Sequence, residues 1–119
     1  MTVCLPSDLE REIRTHCERA YPREACGLLI GRHDVTGQYV VTEIVPSPNL
    51  AATPEVSFEI DPSLIIQYQK ISRTSGEAII GHYHSHPDGE AALSDRDQEQ
   101  NYSPELIWLI AAVHNGRLK

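Results

Sequence analysis

The stretch Glu77–His84, EAIIGHYH, decides the fold class of this chain. Its apolar run Ala78–Ile80 is continuous rather than alternating. A continuous run is typical of a strand that is buried on both faces of a sheet. Such a strand needs helices above and below it, so the stretch predicts an α/β domain with helices packed on both sides of the sheet.

Helices and strands alternate on either side of that strand, in the order α-β-β-α-β-α-β. The predicted elements are a helix over Ser7–Ala20, strands over Ala25–Gly31 and Gly37–Pro46, a short strand over Val56–Ile60, a helix from Asp61–Pro62, a short helix over Ser94–Asn101 and a strand over Leu106–Val113. Ser7 is the expected N-cap of the first helix, with Glu10 completing a capping box. Asn115–Gly116 predicts a hairpin turn into a final strand that the sequence barely begins, which leaves open whether that strand is truncated.

Length and charge limit the classes of function. A chain of 119 residues forms one domain, residues 1–119. Its formal net charge of −7 argues against nucleic acid and anionic membranes as partners. No run of 18 apolar residues and no signal peptide are evident, so we expect a cytoplasmic protein. Its 3 cysteines form no CxxC pair and are expected to be free thiols.

Four residues between positions 84 and 97 have the spacing of a catalytic metal site. His84 and His86 lie two apart at the end of a predicted strand, so both rings point to one side. Ser94 and Asp97 share one face of the following short helix. Two imidazoles and the Asp97 carboxylate, with a fourth position left for water, form a typical catalytic zinc site. Ser94 and Asp97 also fit a helix-capping pattern, and one serine can serve both roles.

Three further residues have two interpretations each. Glu24, just before the strand Ala25–Gly31, is either the base that such a site needs or a surface glutamate. His82 shares a strand face with His84 and is expected to be a core residue rather than a ligand. Cys26 is expected to be a buried structural thiol, the alternative being a nucleophile or an extra ligand.

The segments Pro22–Gly31, PREACGLLIG, and His84–Asp97, HSHPDGEAALSDRD, resemble the JAMM (MPN-plus) zinc metalloprotease family, in its small prokaryotic stand-alone form. That family has a glutamate before a small apolar strand, then H-x-H, seven residues, S, two residues and D. Every position is present in this chain, and the similarity extends from Leu5 to about Arg117. The resemblance implies a single-domain JAMM/MPN fold, a curved mixed β-sheet sandwiched by helices.

The resemblance also implies a role for each matching residue. His84, His86 and Asp97 would bind one zinc ion per chain. Glu24 would deprotonate the attacking water and pass the proton to the leaving amine. Ser94 would donate a hydrogen bond to the oxyanion of the tetrahedral intermediate.

Small stand-alone members of the family act on ubiquitin-like proteins. The resemblance therefore implies a zinc-dependent peptidase or isopeptidase that cleaves after the C-terminal Gly-Gly of a ubiquitin-like sulfur-carrier protein. The product would be an amino acid such as cysteine or a short tail. Two alternatives stay open: a non-catalytic MPN scaffold that only binds partners, and a cysteine hydrolase built on Cys26. The sequence does not determine the oligomeric state.

Overall fold

The computed structural model describes residues 3–89 and 107–118. The sheet has 6 strands in the order β1-β3-β2-β4-β5-β6. The elements along the chain are β1 (Val3–Cys4), α1 (Ser7–Ala20), β2 (Cys26–His33), β3 (Tyr39–Ser47), α2 (Pro62–Ser75), β4 (Ala78–Pro87), β5 (Ile107–His114) and β6 (Arg117–Leu118). β1 with β3 and β4 with β5 are parallel pairs, and the other pairs are antiparallel. The predicted mixed α/β sheet is confirmed.

Within the described residues, one helix packs on each face of this sheet, because neighbouring residues of β2 point to opposite sides. Leu29 belongs to a core formed with the buried stripe Leu9, Ile13 and Cys17 of α1. Leu28 and Ile30 belong to a second core, against which Leu64, Ile65 and Tyr68 of α2 pack. The predicted sandwich of helices around the sheet is therefore confirmed.

The sequence predicted the N-cap of α2 correctly and the N-cap of α1 wrongly. Asp61 caps α2 as expected, since its side chain accepts a hydrogen bond from the Ser63 N–H at 2.9 Å. The capping box at Ser7 and Glu10 is wrong: the N-cap of α1 is Pro6, with no side-chain cap. The Pro6 carbonyl accepts the Glu10 N–H at 3.0 Å, which makes Ser7 the first helical residue.

Two strand predictions need correction. The segment Val56–Ile60 is not a strand, and only an isolated bridge joins Ile60 to Asn49. The strand predicted to end at His84 continues through Pro87, so both His84 and His86 lie within β4. β4 pairs with β2 on one side and β5 on the other, which places it in the middle of the sheet. No helix among the described residues is long and apolar enough to cross a membrane.

Candidate metal centre

The two histidines of the H-x-H pair lie side by side on β4. His84 is fully buried and His86 is 9% exposed. Their Nε2 atoms are 3.1 Å apart. Two ligand atoms at tetrahedral positions about 2.0–2.1 Å from zinc would be about 3.3 Å apart, so this separation fits two ligands of one ion.

Sheet register brings Glu24 to the same place. β2 and β4 are antiparallel, with Cys26 opposite His84. Continuing that register by two residues places Glu24 opposite His86. The Glu24 side chain is buried, at 5% exposure, and a carboxylate oxygen lies within 4.8 Å of a ring nitrogen of each histidine.

Hydrogen bonds from one loop hold the Glu24 backbone on both sides. The Glu24 N–H donates to the Pro54 carbonyl at 2.7 Å. The Asn49 side-chain amide donates to the Glu24 carbonyl at 2.9 Å and to the Ser57 carbonyl at 3.0 Å. The Asn49 Oδ1 in turn accepts the N–H groups of Ala51 and Glu59, each at 3.0 Å. Asn49 therefore organises the loop that positions Glu24, a role that the sequence pattern did not indicate.

Ser85 fixes the start of β2 from the other face of the sheet. Its Oγ accepts the Ala25 N–H at 2.8 Å, and its own N–H donates to the Ala25 carbonyl at 3.0 Å. The residue after Glu24 is therefore tied to the residue between the two histidines. These bonds tie the backbone next to Glu24 to the strand that carries the two imidazoles.

Aromatic rings enclose His84. The Phe58 ring stacks on it, with centroids 4.2 Å apart and an interplanar angle of 18°. The sequence analysis placed Phe58 in a strand and did not predict this contact. The sequence did offer one signal for it: the chain has only 1 phenylalanine, and it lies close to the Asp61 cap. His82 packs edge-on against Trp108, with centroids 4.3 Å apart, and lies outside the trio of possible ligands. The expectation that His82 is a core residue agrees with this packing.

Cys26 is buried in the core between β2 and α2. Its Sγ lies 3.8 Å from the Pro48 carbonyl oxygen. Burial raises the pKa of the Cys26 thiol to about 12. At neutral pH the group is therefore a neutral thiol, which is a poor nucleophile and a poor ligand.

Asp97, the third predicted ligand, and Ser94, the predicted oxyanion donor, lie outside the described residues, as does the short helix predicted over Ser94–Asn101. The last described residues before this segment are held in place at Asp88. Its carboxylate accepts hydrogen bonds from the Tyr21 hydroxyl at 2.5 Å and from the Asn115 N–H at 3.0 Å. The Tyr21 hydrogen bond lowers the pKa of Asp88, so the carboxylate stays ionised at neutral pH.

The donor set fits a zinc ion. Two imidazole nitrogens and a carboxylate oxygen converge in a buried space, and these are the ligand types that zinc takes in proteins. The geometry is compatible with two roles for Glu24, as a third ligand or as a base beside a coordinated water. If Glu24 were a ligand, the predicted ligand Asp97 would be the fourth. If Glu24 were the base, Asp97 would be the third.

Comparison with known proteins points to one family. The sequence profile described as prokaryotic homologs of the JAB domain matches residues 6–118. A desampylase of Haloferax volcanii is 31% identical over 96% of this chain and 82% of its own length. A Thermus thermophilus protein named as a probable TtuB-protein conjugate cleaving protease is 32% identical over 82% of this chain, which spans 62% of that relative.

A solved structure supports the same fold. The solution structure of a Desulfitobacterium hafniense protein superposes with a TM-score of 0.80. The two sequences are 28% identical, over 99% of this chain and 88% of that one. The resemblance carried by Glu24, His84 and His86 in the sequence is thus confirmed at the level of the family.

Proposed function

This chain belongs to the family of prokaryotic homologs of the JAB domain, and we propose on that basis that it is a zinc-dependent peptidase that cleaves conjugates of ubiquitin-like proteins. The observation that carries the proposal is the convergence of Glu24, His84 and His86 within 4.8 Å. Both curated relatives described above have names that refer to the cleavage of such conjugates, desampylase and TtuB-protein conjugate cleaving protease.

In the proposed site, His84, His86 and Asp97 hold one zinc ion. Bound zinc supplies Lewis-acid chemistry and lowers the pKa of a coordinated water toward about 7. Glu24 takes a proton from the attacking water and delivers it to the leaving nitrogen. Ser94 donates a hydrogen bond to the oxygen on which negative charge develops.

Burial supports this division of roles. The Glu24 side chain is 5% exposed, and hydrogen bonds to Pro54 and Asn49 hold its backbone in place beside the histidines. A base held in this way needs little reorganisation when the proton moves. Glu24 is therefore better placed to carry a proton than to act as a mobile surface group.

The proposed substrate is a ubiquitin-like sulfur carrier ending in Gly-Gly, cleaved after the second glycine to release an amino acid such as cysteine or a short tail. Glycines suit a narrow approach because they carry no side chains. The tail cannot add as a strand to β4 or to Val56–Ile60, since β4 has neighbours on both sides and Val56–Ile60 is not a strand. The cytoplasmic location stays a prediction.

The test compares three substrates by intact mass: a carrier–cysteine adduct, a carrier with an extended tail, and lysine-linked diubiquitin. Cleavage of either carrier form, abolished by a chelator and restored by zinc, would support the proposal. Cleavage of diubiquitin alone would contradict the carrier assignment. Stoichiometric binding of a carrier with no cleavage by zinc-loaded protein would favour the scaffold alternative.

A further inference from the structure

A cavity of about 320 Å³ lies directly beside Glu24. Its walls come from the end of α1, from Arg23 and Glu24, and from the loop Ser47–Pro54. The volume is at the lower end of the range of about 300–1,000 Å³ that small-molecule sites occupy. The cavity therefore suits a group the size of one or two amino-acid residues.

The cavity wall carries one positive and one negative group. Among the described residues that line it, Arg23 is the only permanent cation and Glu24 the only carboxylate. The Arg23 guanidinium forms no ion pair with a carboxylate of residues 3–89 or 107–118. Asn49 is fully committed to backbone groups, as described above.

His16 forms a neutral part of the wall. Its Nδ1 lies 2.7 Å from the hydroxyl of the buried Tyr83, which fixes the ring. Burial lowers the pKa of His16, so the ring is uncharged at neutral pH. The charged groups of the described cavity wall are therefore Arg23 and Glu24.

The chemistry of the proposed reaction determines which half of the substrate meets this cavity. Hydrolysis breaks the bond between the glycine carbonyl carbon and the leaving nitrogen. The oxygen of water goes to the carbon, and Glu24 carries a proton of water to the nitrogen. The leaving nitrogen must therefore come within hydrogen-bond reach of Glu24, which is one of the residues that line this cavity.

We propose that this cavity holds the released amine and that Arg23 binds its α-carboxylate, so that the enzyme selects carriers joined to the α-amino group of an amino acid. This inference rests on the proposed function. A free amino acid is a zwitterion, and its two charges match Glu24 on one side and Arg23 on the other. An isopeptide-linked lysine of a folded protein presents no carboxylate at this distance from the scissile nitrogen.

The test uses two substrates that differ in one group: a Gly-Gly carrier of the same organism joined to cysteine, and the same carrier joined to cysteinamide. The zinc-loaded enzyme should cleave the acid with a kcat/KM about tenfold higher than the amide, since an arginine–carboxylate contact is a strong charge-assisted hydrogen bond. In Arg23→Gln the ratio of acid to amide should fall to about one. Arg32→Gln removes the same charge at the far end of β2 and should keep the wild-type ratio.

Each outcome separates the two proposals. A wild-type ratio near one, or an Arg23→Gln enzyme that keeps the preference for the acid, overturns the role of Arg23 and leaves the peptidase proposal intact. Failure to cleave either substrate overturns this inference. The peptidase proposal falls with it only if the tail-extended carrier and lysine-linked diubiquitin also stay uncleaved. The ratio within each enzyme also corrects for partly folded protein, because both substrates meet the same active fraction.

Discussion

The side-chain amide of Asn49 donates a hydrogen bond to the backbone carbonyl of Glu24, with 2.9 Å between the two atoms. The residue proposed as the base is therefore positioned by a loop residue 25 positions further along the chain. The Asn49 side chain makes four hydrogen bonds, two donated and two accepted: one joins the loop to Glu24, and the other three hold the loop itself together. The loop is thus part of the scaffold of the site as well as a wall of the cavity.

Asn49→Ala should lower both activity and stability. Loss of hydrogen bonds worth about 0.5–1.5 kcal/mol each should reduce the free energy of unfolding by about 2 kcal/mol, with water replacing part of them. Because Glu24 loses its anchor, we expect kcat to fall about tenfold while KM changes less. Asn49→Asp keeps the accepted bonds and loses both donated bonds, to Glu24 and to Ser57, so it should reproduce the loss of kcat. A fall in Tm with an unchanged kcat in both variants would show that Asn49 only stabilises the loop.

His84→Ala should remove zinc from the purified protein. The variant loses one of two imidazole ligands whose nitrogens are 3.1 Å apart, and removal of one ligand lowers the zinc affinity strongly. Metal analysis after dialysis gives the zinc content per chain. His33→Ala, at the exposed end of β2, is the matched control and should retain about one zinc. Full occupancy in His84→Ala would contradict the ligand assignment.

Glu24→Gln distinguishes a base from a ligand. Glutamine keeps the size and most contacts of the side chain but cannot accept the proton. We expect zinc to be retained and kcat to fall by a factor on the order of 10²–10⁴. The control is Glu43→Gln, an exposed carboxylate on β3, which should behave as wild type. Loss of zinc together with activity would identify Glu24 as a ligand instead.

Ser94→Ala separates the oxyanion donor from the helix cap. Removal of a donor to the oxyanion should lower kcat by about 10²–10³ with little change in KM. A serine that only caps a helix would instead cost about 1 kcal/mol of stability and leave the rate unchanged. Kinetics and thermal melts on the same preparation give both answers.

Iodoacetamide should not inhibit this protein through Cys26. The thiol is buried and its pKa is raised to about 12, so the reactive thiolate is scarce below that pH. Cys4 is exposed, and Cys4→Ser removes that reactive group. In native Cys4→Ser protein, mass spectrometry should show no alkylation and activity should persist. Inhibition by iodoacetamide with resistance to a chelator would favour the cysteine-hydrolase alternative.

Periodicity predicted those parts of the fold whose side chains face one core. The spacing of Leu9, Ile13 and Cys17 predicted the buried face of α1, and the two-residue spacing of His84 and His86 put both rings on one face. The strand predicted around Phe58 was wrong because the residues of that segment do not alternate between two sheet faces. Phe58 packs on His84, and the neighbouring backbone bonds to Asn49. Such contacts join residues far apart in the chain, and local pattern carries no information about them.

The pairing of Cys26 with His84 has a consequence for how the chain folds. A slip of one residue between β2 and β4 would reverse the side to which each histidine points relative to Glu24. A slipped sheet cannot bring the three donor atoms together, so an ion that binds them adds its binding free energy to the correct register alone. Metal that is present during synthesis would then favour the native register over a slipped one. With metal, misregistered chains would convert to the native pairing, and without metal they would persist longer.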